Sequence, residues 1–425
     1  MSQRLLIICP HFPPTNAADG HRIRICATGL ISRGWQLDVL CCEPDDLPIN
    51  QSPGLEVTLP SKLTIHRVPC RPTLIGRAFG ASTTSRNARR FVQRRGDELL
   101  ARGDYAGVLF STTAFGLLPL AVRWRQRFGV DFVIDLQDPW LQRLPDGVKP
   151  PGGSLRFGLA MAQAKRWEPV VTGAAAGIVC VSPTYESQLK ARYPGLADKP
   201  FLVLPFGAAA NDFRCAAGEA SRQSFFDGQS DQLQLVHVGR GGEDLWPSLR
   251  PLLEALQASN TPSHLHLIGT SYAPAGRQQA SLLPLAEAAG LAESLSEYPA
   301  RVDYFQALRC LSESHGIVVL TSSDAAYNAS KIHNCVLAGP PVLALVHEGS
   351  VAQRLWQGLA PHLTLIDCAS PDAVNAIARW LRQLPAAPVA LEDYPLEADH
   401  QAEALSSFLG AVLTSADESG TPQST

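Results

Sequence analysis

Short apolar runs alternate with longer stretches of helical periodicity along nearly the whole chain. A strand buried on both faces of a parallel sheet reads as such a continuous apolar run, and the helices that cross between strands cover the two faces. Two series of runs are present. The first takes in residues 5–9, 37–41, 63–68, 107–110, 132–135, 177–181 and 201–204; the second takes in 233–238, 265–268, 296–298, 316–320, 342–346 and 363–366. The pattern predicts an α/β protein with two doubly wound parallel sheets. Between the series, LPFGAAANDF at 204–213 runs from a strand into a loop of small residues, which puts the boundary near Gly207. The predicted domains are 1–207 and 208–390, followed by a helical segment at 391–414 and a polar tail at 415–425 that reads as disordered.

Composition narrows this picture without changing it. A chain of 425 residues exceeds one ordinary core, and 45% hydrophobic residues with a net charge of −3 describe a globular protein with no electrostatic call for nucleic acid. Its ten cysteines lack C-x-x-C pairs and metal-ligand spacing, so they read as reduced thiols in apolar surroundings, and no metal site is expected. The opening MSQRLLIICP holds too short an apolar run for a signal peptide or a spanning helix, and a cytoplasmic location is expected. Hydrolase elbows, H-E-x-x-H and phosphate-loop lysine signatures do not occur.

Chemistry gathers at strand ends. In YNASKIHNCVLAGPPVLAL, residues 327–345, Ser330 and Lys331 precede a helix predicted over 332–337, which Gly339, Pro340 and Pro341 stop before the next strand. A helix start with a lysine suits a phosphate group. In HFPPTNAADGHRIR, after the first strand, Gly20 permits close backbone approach and His21 and Arg22 open a helix predicted to run from about residue 20 to 32; the plainer alternative is a proline-rich loop in which Asp19 caps that helix and His21 and Arg22 are solvated. VIDLQDPW, residues 133–140, brings Asp135 and Asp138 to a strand end, with Trp140 as a sugar platform or a packing residue. LVHVGRGGEDLW, residues 235–246, offers Gly239, Arg240, Gly241 and Gly242 as a cradle, the guanidinium forking onto phosphate oxygens. Finally, Arg86, Arg89, Arg90, Arg94, Arg95 and Arg102 crowd one helical stretch, either a solvated face or a basic helix against an anionic membrane surface.

Taken in order, HFPPTNAADGHRIR, VIDLQDPW, CVSPTYESQLKARYPG, LPFGAAANDF, VHVGRG and SKIHNCVLAGPPVLAL resemble the motifs of family 4 glycosyltransferases of the GT-B fold, in the bacterial branch with D-P-W and S-K-[LI]. The resemblance spans nearly the entire chain. It implies two Rossmann-like domains facing a central cleft, a C-terminal helix crossing back to the first domain, and retaining, metal-independent transfer from a nucleoside-diphosphate sugar. The implied donor contacts are Gly20, Arg22, Gly239, Arg240, Ser330, Lys331 and Asn334; Asp138 and, after it, His21 are the catalytic candidates. The acceptor is a glycan, a lipid-linked glycan or a small molecule of the kind used in polysaccharide or secondary-metabolite synthesis, and no cofactor is implied beyond the donor. Contact with the membrane's inner face would run through Arg86, Arg90 and Arg94. Two departures stand out: Ala326 and Asn334 occupy positions where the family carries paired glutamates, and the lysine usual after Arg240 is missing. Two further readings share these residues, a catalytically inactive nucleotide-sugar-binding partner and a nucleotide-sugar epimerase.

Overall fold

The computed structural model describes residues 3–72, 83–142, 153–218, 225–226, 231–271, 273, 276–324, 329–391 and 393–413. Ala326 and the tail 415–425 lie outside them. Residues through Phe206, together with the helix Ala398–Leu413, form one compact unit, and Gly207–Glu397 forms the other.

In the N-terminal unit β1 (Gln3–Ile8), β2 (Trp35–Cys42), β3 (Thr64–Val68), β4 (Gly107–Ser111), β5 (Phe132–Leu136), β6 (Gly177–Cys180) and β7 (Phe201–Val203) pair in parallel in the order β3-β2-β1-β4-β5-β6-β7. Strand alternation sorts the apolar runs onto two faces. Leu6, Ile8, Phe110, Ile134 and Ile178 share a core with Val92, Leu99 and Trp124, while Leu5, Ile7, Leu109, Val133 and Val179 pack with Ile23, Leu30, Leu405, Leu409 and Leu413. Both faces are therefore covered, which is why these strands read as unbroken apolar runs. The last three leucines come from the helix Ala398–Leu413, which Trp35 also holds by donating its Nε1–H to Ser406 Oγ at 2.9 Å.

The second unit repeats the design. Its strands β8 (Leu233–Val238), β9 (Ser263–Ile268), β10 (Leu295–Tyr298), β11 (Gly316–Leu320), β12 (Val342–Val346) and β13 (Leu363–Asp367) run parallel in the order β10-β9-β8-β11-β12-β13. Leu235, Leu265, Val318 and Leu343 pack there with Leu249, Leu252, Ile377 and Trp380. In both sheets strand order reverses once, between β1 and β4 and between β8 and β11. Such switch points open a crevice beyond the carboxyl ends of the strands, where ligands of α/β sheets bind.

Two helices differ from the sequence-based expectation. The first begins at Ala18 rather than near residue 20, because Asp19 and Gly20 are turned inward in its first turn instead of capping it. The arginine-rich helix Thr84–Leu100 buries Val92, Leu99 and Leu100 in its own unit's core, so those side chains are not available to enter a bilayer. Arg86, Arg90 and Arg94 stand exposed along one row of it. No helix of the described residues is long and apolar enough to cross a membrane.

Candidate functional site

The switch point of the first sheet is occupied by a buried ion pair. His11 follows β1 and faces Asp19 in the next helix, with Nδ1 to Oδ2 at 2.8 Å, while its Nε2 lies 3.1 Å from Thr84 Oγ1. Thr113, just past β4, donates to the same Asp19 oxygen from its backbone N–H and its hydroxyl, both at 3.3 Å. Burial alone would lower the imidazole pKa, but the Asp19 carboxylate outweighs it and holds His11 above its ordinary value. Burial likewise pushes against ionised Asp19, yet His11 and Thr113 keep its pKa below the usual carboxylate range. The crevice floor thus carries a charged, hydrogen-bonded pair.

The expected residues of this unit divide around that pair. Gly20 packs against the His11 carbonyl, where a Cβ would collide with backbone, so its missing side chain serves loop packing. Arg22, expected at the donor, is instead buried beneath the site: Nε sits 3.0 Å from Asp135 Oδ2, and NH2 donates to the Leu204 carbonyl at 2.8 Å. His21 accepts from Arg24 at Nδ1 (3.2 Å) and donates from Nε2 to Asn16 Oδ1 (2.9 Å), while burial and Arg24 hold its pKa well below the ordinary value. It is a neutral ring with both nitrogens engaged. Asp135 is buried and accepts from Ser111 Oγ at 2.8 Å and Gln137 Nε2 at 2.9 Å. Asp138, two residues beyond β5, is the solvent-reaching carboxylate of the motif, and desolvation of its carboxyl by the atoms packed around it, followed by the Asp19 charge, raises its pKa. Trp140 is buried and stacks on Phe115, ring centroids 5.6 Å apart.

At the switch point of the second sheet, the loop after β8 and the turn before the helix Ile332–Leu337 meet. Lys331 Nζ lies 3.0 Å from His237 Nε2 and beneath Gly239, whose φ of +144° and lack of a side chain leave room for the lysine stem. A Cβ at Gly239 would run into Lys331 Nζ, Cδ and Cε. An ammonium can only donate, so His237 Nε2 accepts from it, and Nδ1 carries the ring proton toward the Val318 carbonyl at 3.1 Å. Burial and the Lys331 charge keep His237 neutral, its pKa well below the ordinary value. Burial lowers Lys331 to about 8, a shift that Cys335 opposes and Arg240 assists. Arg240 forks onto Asp244 at 2.9 and 2.7 Å, and this hydrogen-bonded pairing lowers the Asp244 pKa. Asn334 lies one turn beyond Lys331, and its Oδ1 is buried without a hydrogen-bond partner; Ser330 is exposed at the start of the turn. No cluster of three metal-ligating side chains occurs among the described residues.

Residues 20–207 match the family model of the glycosyl transferase 4-like domain. Solved structures extend the likeness to the fold of the whole chain. Sucrose-phosphate synthase from Thermosynechococcus elongatus superposes with a TM-score of 0.56 at 16% identity, over 97% of this chain and 95% of that one. HepE of Anabaena, in complex with UDP and glucose, gives 0.52 at 14% identity over 98% of both chains. The α,α-trehalose 6-phosphate synthase of Burkholderia multivorans gives 0.55 at 10% identity, over 99% of this chain and 100% of that one. No curated protein sequence matches the chain. The fold is GT-B, with two Rossmann-like units.

Within this fold, sequence reasoning singled out the glycine, arginine and lysine of the turns after β8 and before the helix Ile332–Leu337, and missed two histidines. His11 was passed over because its partner Asp19 was read as a helix cap, although a histidine closing the first strand is itself a signal. His237 was read only as part of a strand. A polar ring inside the apolar run LVHV is a mark worth following, since a buried imidazole requires hydrogen-bond partners.

Proposed function

We propose that the protein transfers a sugar from a nucleoside-diphosphate sugar to a glycan, lipid-linked or small-molecule acceptor, with retention of anomeric configuration. The observation that carries the reading is the Lys331 ammonium seated under Gly239 beside Arg240. Two cations and a glycine turn converge there on the switch point of a parallel sheet, the arrangement a departing diphosphate requires. The Arg240–Asp244 pair is a part-exposed contact between residues four apart, worth only about 0.5 kcal/mol, so a diphosphate can take over the guanidinium. The unpaired Asn334 Oδ1 supports a role as acceptor for a ribose hydroxyl in place of the family's glutamate. HepE, which shares the fold, is described with UDP and glucose bound, and this supports a nucleotide-sugar donor here.

On the acceptor side, Asp138 is the exposed carboxylate and His11–Asp19 the buried charge behind it. Arg86, Arg90 and Arg94 supply a basic row for loose contact with an anionic membrane, by charge without insertion.

The test is a screen of nucleotide sugars by ligand-induced thermal stabilisation and by transfer. At least one donor is expected to stabilise the wild type, with the effect reduced about tenfold or more in affinity by Arg240→Ala or Lys331→Met, as for loss of a charged hydrogen bond. Failure of every nucleotide and nucleotide sugar to bind would sink the proposal. Binding without turnover across an acceptor panel would favour an inactive partner, and conversion of the donor sugar without acceptor would favour an epimerase.

A further inference from the structure

His237 lies on β8, buried within the motif 235–246 but given no role there, yet the Lys331 ammonium rests against its ring. We propose that His237 is a positioning residue whose neutral imidazole holds the Lys331 ammonium under the Gly239 turn, so that capture of a diphosphate there takes up a proton. The inference rests on the donor-binding reading given above and adds to it a residue and a proton.

The ring is fixed from both ends. Nδ1 lies 3.1 Å from the Val318 carbonyl of the neighbouring strand β11 and 3.4 Å from the Leu320 amide, and Nε2 lies 3.0 Å from Lys331 Nζ and 3.3 Å from the Arg240 carbonyl. With Lys331 an ammonium, the shorter contact at each nitrogen is met by the tautomer that donates from Nδ1 to Val318 and accepts at Nε2. Because β8 and β11 are adjacent interior strands, this bond ties the lysine to the middle of the sheet. The lysine needs such an anchor because its stem is flexible and its ammonium is a point charge without the geometric preference of a guanidinium. The titratable and charged groups around the amine are few. Arg240 comes from the loop after β8 with Asp244 as its partner, Cys335 comes from the helix Ile332–Leu337, and His237 comes from below. None of these places a carboxylate directly on Lys331 in the contacts described. Burial then holds the amine pKa at about 8, near enough to neutrality for a bound diphosphate to raise it and draw in a proton.

The experiment uses the full chain and two readouts. Titration of [13C]lysine-labelled protein by NMR, with the Lys331 Cε signal assigned by its loss in Lys331→Met, reports the amine without any nucleotide. Calorimetry with UDP, GDP and ADP at pH 8.5, in buffers of differing ionisation enthalpy, reports proton uptake on binding. His237→Leu removes the acceptor; His237→Gln restores one near the Nε2 position. The Leu variant is expected to lower the Lys331 titration midpoint and to weaken nucleotide binding at pH 7.5 by about tenfold. The Gln variant is expected to stay within about threefold of the wild type, corresponding to a partial retention of one hydrogen bond. In a Lys331→Met background the Leu substitution should bring no further loss.

An unchanged Lys331 midpoint in His237→Leu, or an equal loss of binding whether or not Lys331 is present, would show that His237 only fills space and would overturn the proposal. If the Leu variant does not fold, the Gln variant decides it: an altered midpoint with Gln would count against hydrogen-bond positioning. Absence of proton uptake in the wild type would also overturn it. Should none of the three nucleotides bind the wild type, the donor reading fails and the proton uptake with it, while the NMR titration still judges the His237–Lys331 bond separately.

Discussion

Lys331 and Asp19 are the two residues whose ionisation the fold has altered with the clearest consequences. For Lys331 the folded pKa of about 8 lies below the value of an exposed lysine, so the unfolded chain binds more protons between pH 8 and about 10.4. Its burial therefore weakens the fold below pH 8, and that penalty relaxes as pH rises. Donor binding has the opposite sign, since a diphosphate favours the ammonium. The thermal shift produced by a bound nucleotide should decline between pH 7 and pH 9, where the charged fraction falls about tenfold, and Lys331→Arg should flatten the decline. The His11–Asp19 pair obeys the complementary rule. Asp19, with its lowered pKa, contributes stability that is present above about pH 4 and lost as pH falls through its folded value; His11, with its raised pKa, contributes stability present below about pH 6.5 and lost as pH rises through its own. The pair is therefore strongest between these limits. Asp19→Asn should destabilise by roughly 3 kcal/mol in urea unfolding at pH 5.5, and by less as pH rises and His11 gives up its proton. A loss that does not change with pH above pH 5.5 would mean that Thr113 and the helix start, not His11, are what Asp19 serves.

At the scale of elements, strands were more legible than the turns between them. Strand runs such as 5–9 and 342–346 were readable because both sheet faces are covered, leaving no polar alternation to blur them. Helix starts were less so. Asp19 looks like a cap in sequence, but the pull of His11 and Thr113, the latter 94 residues away, draws it inward, and no local pattern carries a partner at that separation. The loop after β8 offers the sharpest element-scale test. Gly239→Ala places a Cβ at a φ of +144° and onto the lysine stem, so it should cost at least about 1 kcal/mol of stability and also reduce nucleotide affinity by displacing Lys331. Thermal melts with and without nucleotide separate the two effects. A variant that melts early but binds normally would break the link between the glycine and the lysine.

For the molecule as a whole, the chain crosses from the first unit to the second and returns. Leu405, Leu409 and Leu413 complete one face of the first sheet from the far end of the sequence. A fragment ending at Phe206 should consequently fail to give a cooperative melt by circular dichroism, whereas adding back residues 398–413 as a peptide should restore one; a stable fragment without it would contradict this packing. The exposed arginine row belongs to the same scale. Flotation with anionic vesicles should be detectable at low salt, weaken towards 0.15 M, where screening shortens to about 8 Å, and fall further in Arg86→Ala/Arg90→Ala/Arg94→Ala. Fold class, the strand series, the boundary near residue 207 and the glycine, arginine and lysine of the turns after β8 and before the helix Ile332–Leu337 were determined by the sequence itself, because apolar periodicity and turn chemistry are local. Which charges are spent and which remain for a ligand was decided only in three dimensions: Arg22 is buried against Asp135, His21 is engaged at both nitrogens, and His237 carries Lys331. Those outcomes depend on desolvation and on partners brought from distant strands, and neither is written in the spacing of residues along the chain.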